Sequence, residues 1–397
     1  MRVALVGDEF YPDIGGAPHY GFELSRQLVK LGVETVVLTH LHPGQPEDEE
    51  IDGVRIKRLK GLVLKNPHRA ASPAVFRHCH RYILDGKFDL VHALDIYSSM
   101  ALIVTAFAHR HEIPCIMTCH TVMDSDFLIF LQRALLGWAM TRADRIIAVS
   151  RAAAQFSHLL GLPEEKIRVV PNGVDLSCFN GKTDASVMRE ELGIGSEPLV
   201  LTVSRLIKRK NPELLVSAFA KLLKTVPDAK LVIAGAGREK DNLYRQIEGL
   251  GIADSVFMMG GLPRERVAQL MAAATVFVLS SRMESFGLSL LEASAAGLPV
   301  VCSNAGGVPE VFQDGFNALL YRPGDSDAMA RAMISLVQDK DLAKKVSANA
   351  LQTASGFTWS KAAEGTLGVY EEVVRENRRD QVASRSREEV SRPVSER

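Results

Sequence analysis

The sequence predicts an α/β protein built from two doubly wound parallel sheets. Three observations carry that expectation. Short apolar, β-branched runs alternate with helical segments along most of the chain, as parallel sheets with crossover helices require. The chain has 397 residues, a length that favours two cores over one. The pattern breaks at the turn-rich Pro171-Asn-Gly-Val-Asp175 and then starts again. Residues 1–175 and 176–356 are therefore expected as separate α/β domains.

Composition narrows the class. Hydrophobic residues make up 47% and charged residues 24%, which is ordinary for a soluble globular chain. Lys and Arg number 47, as do Asp and Glu. This balance argues against nucleic acid as a partner. Cys79, Cys115, Cys119, Cys178 and Cys302 are odd in number and form no Cys-x-x-Cys, so they read as reduced thiols of a cytoplasmic protein, not as a zinc site. The opening Met1-Arg-Val-Ala-Leu-Val-Gly7 ends in Asp8-Glu9 and reads as a strand, not a signal peptide. The most apolar stretch, Phe127–Ala139, carries Gln132 and Arg133; it is too short to span a bilayer and reads as a buried helix.

In chain order, the strand Val3–Gly7 leads through Phe10-Tyr-Pro-Asp-Ile-Gly15-Gly16 into a helix over His19–Leu31, closed by Gly32, and then into a strand over Val33–Thr39. Gly15 and Gly16 permit a ligand to approach the backbone at a helix start, although the absence of Gly-x-Gly-x-x-Gly disfavours a nicotinamide dinucleotide. The alternative for a lone Gly-Gly is a flexible turn. From Gly53 to Leu84 no acid occurs, whereas Arg55, Lys57, Arg58, Lys60, Lys65, Arg69, Arg77 and Arg81 do. Two readings stand: a basic amphipathic surface that docks peripherally on anionic lipid, or a solvated rim over a core helix at Ala74–Leu84. Further strands are read at Phe88–Leu94, Ile113–Cys119, Arg145–Val149 and Ile167–Pro171, with His120 at the end of one of them.

The second half repeats the pattern. Strand Leu199–Val203 runs into the basic loop Ser204-Arg205-Leu-Ile-Lys208-Arg209-Lys210, then a helix over Glu213–Lys224 and a strand over Lys230–Ala234. Cations between a strand and a helix suit a diphosphate clamp. Gly235-Ala-Gly237 is another strand-to-helix turn. Strands follow at Val256–Met259, Ala274–Ser280, Leu298–Ser303 and Ala318–Tyr321. The loop Asn304-Ala-Gly-Gly-Val-Pro-Glu310 sits where it can close on a ligand. Asp124-Ser-Asp126 and Asp325-Ser-Asp327 are not assigned a metal: neither ends a strand, and Asp325 reads as a helix N-cap. Residues 377–397 are charged, serine-rich and nearly free of apolar side chains, and are expected to be disordered.

The stretch Arg282-Met-Glu284-Ser285-Phe286-Gly287-Leu288-Ser-Leu-Leu-Glu292 concentrates the chemistry. It is a strand end, a tight turn and a helix N-terminus, and so offers unpaired backbone N–H groups and a positive dipole end to an anion. Glu284 lies ahead of the turn. Glu292 lies a turn inside the helix, where an ionised carboxylate can accept both O–H groups of a vicinal diol. Phosphate, diol and a second polyol are the parts of a sugar nucleotide. The plain alternative is a capping box at Ser289-x-x-Glu292 with Glu284 as a solvated loop acid.

Glu284-x7-Glu292 with Phe286-Gly287, together with Ser204-Arg205…Lys210, Gly15-Gly16, His120 and Pro171-Asn-Gly-Val-Asp175, resembles the retaining glycosyltransferases of the GT-B fold known as glycosyltransferase family 4, over residues 1–375. The resemblance implies two Rossmann-like domains facing across a cleft, with a last helix at 360–376 crossing back to the N-terminal domain. It implies that Glu292 binds the ribose hydroxyls, that Arg205 and Lys210 neutralise the diphosphate, and that Glu284 and the Ser285–Leu288 backbone hold the donor sugar. Gly15, Gly16 and His120 reach in from the N-terminal domain, and Gly235 also lines the donor site. His120, Glu284, Arg205 and Lys210 are the catalytic set, with no cofactor beyond the donor. Asn211 stands where the family usually has Gly, and Thr121 where an acid often follows the histidine.

Phe10-Tyr-Pro-Asp-Ile-Gly-Gly, Val203-Ser-Arg-Leu-Ile-Lys-Arg-Lys and Gly306-Gly-Val-Pro-Glu-Val are similar to the catalytic subunit of the N-acetylglucosaminyl-phosphatidylinositol synthase of GPI anchors. The chain also resembles bacterial phosphatidylinositol mannosyltransferases and the glycosyltransferases of low-molecular-weight thiol synthesis. This implies transfer of N-acetylglucosamine or another hexose, UDP-linked, to an inositol, lipid or glycan hydroxyl. The rivals are a sugar-nucleotide epimerase of the same architecture and a non-catalytic nucleotide-sugar-binding subunit.

Overall fold

A computed structural model describes residues 1–13, 15–61, 73–122, 129–179 and 184–391. The N-terminal half folds around eight strands: β1 (Arg2–Val6), β2 (Glu34–His40), β3 (Asp48–Ile51), β4 (Val54–Leu59), β5 (Leu90–Ala93), β6 (Cys115–Cys119), β7 (Arg145–Ala148) and β8 (Ile167–Val169). Their order is β3-β4-β2-β1-β5-β6-β7-β8, parallel except for the β3–β4 hairpin. Helices α1 (Gly16–Lys30), α2 (Pro73–Gly86), α3 (Ser99–Arg110), α4 (Ile129–Met140) and α5 (Arg151–Leu159) connect them. The apolar runs of β1, β5, β6 and β7 are buried, as strands covered on both faces must be.

The second sheet has six strands: β9 (Leu199–Val203), β10 (Lys230–Ala234), β11 (Val256–Gly260), β12 (Val276–Leu279), β13 (Val300–Ser303) and β14 (Leu319–Tyr321), in the order β11-β10-β9-β12-β13-β14. Around it lie α6 (Ala185–Glu191), α7 (Pro212–Leu222), α8 (Lys240–Gly249), α9 (Arg264–Ala273), α10 (Leu288–Ala295), α11 (Ser326–Gln338) and α12 (Lys340–Ser355). Asp325 caps α11 through a hydrogen bond from the Ala328 N–H at 2.8 Å, as read from the sequence. Asp124 and Asp126 lie outside the described residues. Strand order reverses between β1 and β5 in one sheet and between β9 and β12 in the other. Ligands of open α/β sheets bind at such switch points, beyond the carboxyl ends of the strands. Among the described residues no helix is long and apolar enough to cross a membrane.

Two expectations need correction. The basic stretch after Gly53 is not one surface, because β4 lies inside the sheet and β3 brings acids opposite it. Lys57 meets Asp48 at 2.7 Å, Arg58 meets Glu49 at 2.6 Å, Arg55 lies 3.5 Å from Glu34, and Lys60 pairs with Glu47. The acids precede the cations in sequence, so the antiparallel pairing that joins them was not anticipated. Lys65 and Arg69 lie outside the described residues; Arg77 and Arg81 are exposed on α2. The second correction concerns the C-terminus. Helix α13 runs from Trp359 to Ser391, so 377–391 of the segment expected to be disordered are helical, while 392–397 lie outside the described residues. Once its first turns are packed, each added residue needs only propagation, and Arg, Glu, Gln and Ala, about half of the rest, are good helix formers.

The start of α13 is where the chain returns to the first domain. A Cβ on Gly173 would sit 2.2 Å from the Trp359 backbone N, so only glycine lets the two segments pass. Val174 donates to the Phe357 carbonyl at 2.9 Å and bridges Thr358. Beyond this crossing, Glu372 receives Arg145 at 2.9 Å and Arg168 at 2.5 Å, and the Tyr370 hydroxyl meets His92 Nδ1 at 2.6 Å in the core. The Gly173→Ala variant should lose about 1–3 kcal/mol or more, because the clash is with backbone that cannot rotate away. An unchanged thermal melting temperature would contradict this.

Candidate active site

Lys210 ends a short 3-10 turn after β9, and Glu284 follows β12. Cross-links hold these two loops together: Arg282 N donates to the Arg209 carbonyl at 2.9 Å, and Ser280 Oγ donates to the Lys210 carbonyl at 2.8 Å. Lys210 Nζ and Glu284 Oε2 form an ion pair, with Ser281 Oγ on the same oxygen at 3.2 Å and the Ser285 N–H on Oε1 at 3.2 Å. Burial alone would push the Glu284 carboxyl up. The Lys210 charge and hydrogen bond, helped by Arg209 and Ser281, overcome it and hold the group below its ordinary value.

Asn211, the departure from the family's glycine, has φ 49° and ψ 48°. Asn is among the non-glycine residues that tolerate this left-handed conformation best, so the departure leaves the loop intact.

Gly287, at φ 88°, opens α10 with no side-chain cap, so Ser289-x-x-Glu292 is not a capping box. Phe286 packs edge-on to Phe357 and is buried, which leaves only its backbone to serve a ligand. Behind the turn lies the Gly306-Gly307 loop. A Cβ on Gly306 would fall 2.0 Å from the Glu284 carbonyl oxygen, and one on Gly307 2.1 Å from that of Ser285. The Gly307 N–H donates to the Glu284 carbonyl at 2.8 Å. The loop thus seats the turn.

From the facing domain, the His120 carbonyl accepts Ser285 Oγ at 2.5 Å. The His120 ring lies against Tyr20, with centroids 4.3 Å apart, and its Nε2 is buried without a hydrogen-bond partner. Burial drives its pKa down to about 4, although a bond to the Leu94 carbonyl works the other way. It is therefore neutral at pH 7. Gly16 begins α1, and a Cβ there would meet nothing within 4 Å. Gly15 is its extended N-cap. Gly235 stands differently: its Cβ position lies 1.8 Å from the Ser204 carbonyl, so it seats the loop carrying Arg205. Arg205 is exposed, and its charge acts on Asp95 after β5. Burial lifts the Asp95 carboxyl to about 6.

Glu292 sits in a cluster that the sequence reading did not anticipate. His19 Nε2 lies 4.0 Å and Arg264 Nη2 3.9 Å from its Oε1. Arg264 also meets Glu23 at 3.2 Å. His19 and Glu23 belong to α1, while Arg264 opens α9, so the cluster joins the two domains. Burial pushes the Glu292 carboxyl up to about 7, against Arg264 and with Glu23. The available signals were the place of His19 one turn after Gly16 and the Gly260-Gly-Leu-Pro263 turn ahead of Arg264. Glu310 is another interdomain group: its carboxylate accepts the Arg151 and Ala152 N–H groups at 2.7 and 2.8 Å at the start of α5.

Comparison with known proteins gives the family and the fold. Residues 184–353 match the family of glycosyl transferases group 1, and residues 14–177 match glycosyltransferase family 4. A D-inositol 3-phosphate glycosyltransferase of Frankia alni is 32% identical over 387 residues, covering 90% of this chain and 94% of that one. An N-acetyl-alpha-D-glucosaminyl L-malate synthase of Bacillus anthracis is 28% identical over 392 residues, covering 95% and 99%. Among solved structures, Anabaena HepE in complex with UDP-glucose aligns with a TM-score of 0.79 at 21% identity, covering 93% of this chain and 100% of that one. The chain belongs to glycosyltransferase family 4, and its two facing Rossmann-like domains form the GT-B fold.

The raised Glu292 pKa has a consequence for stability. Between about 4.5 and about 7 the folded protein keeps a proton that the unfolded chain has lost, so this group's contribution falls as pH rises through that window. The ligand-free Glu292→Gln variant should therefore melt above wild type at pH 8, with the gap closing towards pH 5. A gap that is constant with pH would refute the assignment.

Proposed function

We propose that this glycosyltransferase moves a hexose, N-acetylglucosamine being the first to test, from a UDP-sugar to a hydroxyl of an anionic acceptor, with retention at the anomeric carbon. The observation that carries the reading is the ion pair of half-buried Lys210 with buried Glu284, beside an uncapped helix start. The difficulty of the reaction is the departing diphosphate. Lys210, Arg205 and the free N–H groups at the start of α10 put fixed positive charge where negative charge develops. With those cations in place the reading calls for no metal.

The neutral His120 Nε2 can accept a hydrogen bond from a donor-sugar hydroxyl. Glu284, once the diphosphate has drawn Lys210, takes another, and Glu292 takes the ribose diol. No side chain around the pair stands out as a covalent nucleophile. Same-face attack is therefore the preferred route, with the departing phosphate oxygen taking the acceptor's proton. Support for an anionic acceptor comes from the relatives, one named for an inositol phosphate and one for malate. An inositol carrying phosphate, free or as phosphatidylinositol, is the acceptor to test first, and the exposed Arg77 and Arg81 of α2 would meet an anionic lipid surface.

Three experiments test the reading. Lys210→Ala and Glu284→Ala should each slow turnover by roughly 10²-fold or more, while EDTA leaves the wild-type rate unchanged; near-normal rates in both variants would overturn the site. UDP binding should release roughly half a proton at pH 7, because hydroxyls donating to Glu292 lower its pKa from about 7. Calorimetry in buffers of different ionisation enthalpy measures this, and no release would remove Glu292 from the ribose. Binding to phosphatidylinositol vesicles should fall with salt and vanish in Arg77→Glu/Arg81→Glu. Salt-insensitive binding, or none, would exclude the lipid-linked acceptor.

A further inference from the structure

The guanidinium of Arg264 is held at one end and free at the other. Its Nη1 donates to His19 Nε2 at 2.8 Å and to Glu23 Oε1 at 3.2 Å, and the group lies over the Phe179 ring at 5.0 Å from its centroid. His19 must be the acceptor, since arginine keeps its protons. Burial and the neighbouring guanidinium drive the His19 pKa down to about 3. The opposite edge, Nε and Nη2, is buried and has no hydrogen-bond partner. A buried charged donor left unpaired is costly, and two N–H groups side by side on a planar fork ask for an oxygen acceptor.

The Nη2 end of that edge faces Glu292, while the Cys178 thiol and the Asp175 carboxylate also interact with the guanidinium. Nη2 and Oε1 are 3.9 Å apart, too far for a direct hydrogen bond. None of the hydrogen bonds found among the described residues ends on the Glu292 carboxylate. A gap of this width suits one hydroxyl: its oxygen can lie about 2.9 Å from the nitrogen and about 2.7 Å from the carboxylate at once. A hydroxyl is also the group that donates to one partner while accepting from the other. A carbonyl would satisfy Arg264 but repel the ionised Glu292 carboxylate, and a water molecule would be bound by the same logic until displaced.

We propose that Arg264 is a nucleoside-positioning residue that grips one pentose hydroxyl jointly with Glu292, while His19 and Glu23 tie it to the N-terminal domain. The proposal rests on the donor-site reading above and adds a residue and a coupling to it. Pentose recognition and closure of the domains become one event, because a single guanidinium serves both. The nucleotide without that hydroxyl loses the bridge, and so does the protein without Arg264.

The test is calorimetric titration of the full chain with UDP, 2′-deoxy-UDP and 3′-deoxy-UDP, in wild type and in Arg264→Met. Wild type should bind one of the deoxynucleotides about tenfold or more weaker than UDP, as loss of a charged hydrogen bond implies. Arg264→Met should bind UDP about tenfold weaker, and its penalty for the same missing hydroxyl should shrink to about threefold or less, since groups acting through one bridge are not additive. Arg264→Lys keeps the charge without the fork and should not restore the full penalty; it also serves if the methionine variant melts. An unchanged deoxy penalty in both variants, or wild-type affinity in Arg264→Met, overturns the proposal. If Glu292→Gln abolishes binding while Arg264→Met does not weaken it, the donor site stands and Arg264 falls. If wild type binds no nucleoside diphosphate, both fall.

Discussion

The ion pair of a half-buried ammonium with a buried carboxylate ties together the loops of the second domain's site. Lys210 and Glu284 lie on loops after different strands, and each makes the other's burial tolerable. Such a pair gains little over an apolar replacement, but losing one partner leaves a bare charge at a cost of about 3–5 kcal/mol. The remaining lone pairs of Glu284 are met by Ser281 Oγ and the Ser285 N–H, and its own carbonyl receives the Gly307 N–H. Three loops, after β9, β12 and β13, are therefore fixed through one residue. On the donor-site reading the arrangement is a placeholder. The carboxylate occupies the cation until a more highly charged diphosphate competes for it, and the carboxylate then turns to the sugar.

The contacts between the domains are of another kind. Ser285 to the His120 carbonyl, Glu310 to the start of α5, and Arg264 to His19 and Glu23 are polar, beside the apolar contact of Leu288 with the core of the first domain. Polar interfaces of this sort part and re-form more readily than apolar ones. The firm connection lies elsewhere, where Gly173 passes Trp359 and α13 docks through Tyr370 and Glu372. The molecule thus has a tight crossing at one edge and weak polar fastenings across the mouth, as a cleft that opens and closes requires.

Much of this was legible in the sequence, for reasons that can be traced. Fully buried parallel strands such as Val276–Leu279 announce themselves as unbroken apolar runs, and Asp325 announces a helix start because an N-cap acts within four residues. The tight turn read at Gly287 is there, at φ 88°. The β3–β4 hairpin was missed because its acids and bases separate in sequence before they pair in space, so a run of cations stayed open to reading as one basic surface or as a solvated rim. Order in α13 beyond residue 376 was missed because composition does not reveal that a docked helix is already there to be extended. His19, Glu23 and Arg264 were missed for the deeper reason that their meaning lies across the cleft. A histidine and a glutamate on one helix and an arginine on another, 241 residues from that glutamate, share no local pattern.

The unmet polar groups around the cleft carry the synthesis one step further. Native interiors seldom leave a charged or aromatic nitrogen without a partner, yet His120 Nε2 and the Nε–Nη2 edge of Arg264 have none. They are complementary in sign. The histidine nitrogen and the Glu292 carboxylate accept, while the arginine edge and the backbone at the start of α10 donate. A ligand that satisfies all of them must carry hydroxyls that donate in two places and an anion that accepts in a third, as a sugar nucleotide does. An apolar cofactor would leave every one of these groups bare, and a simple phosphate would answer only the helix start. The cost of keeping them unpaired is the stability the protein forgoes in its empty state, and it becomes binding energy only for a molecule with that sequence of groups.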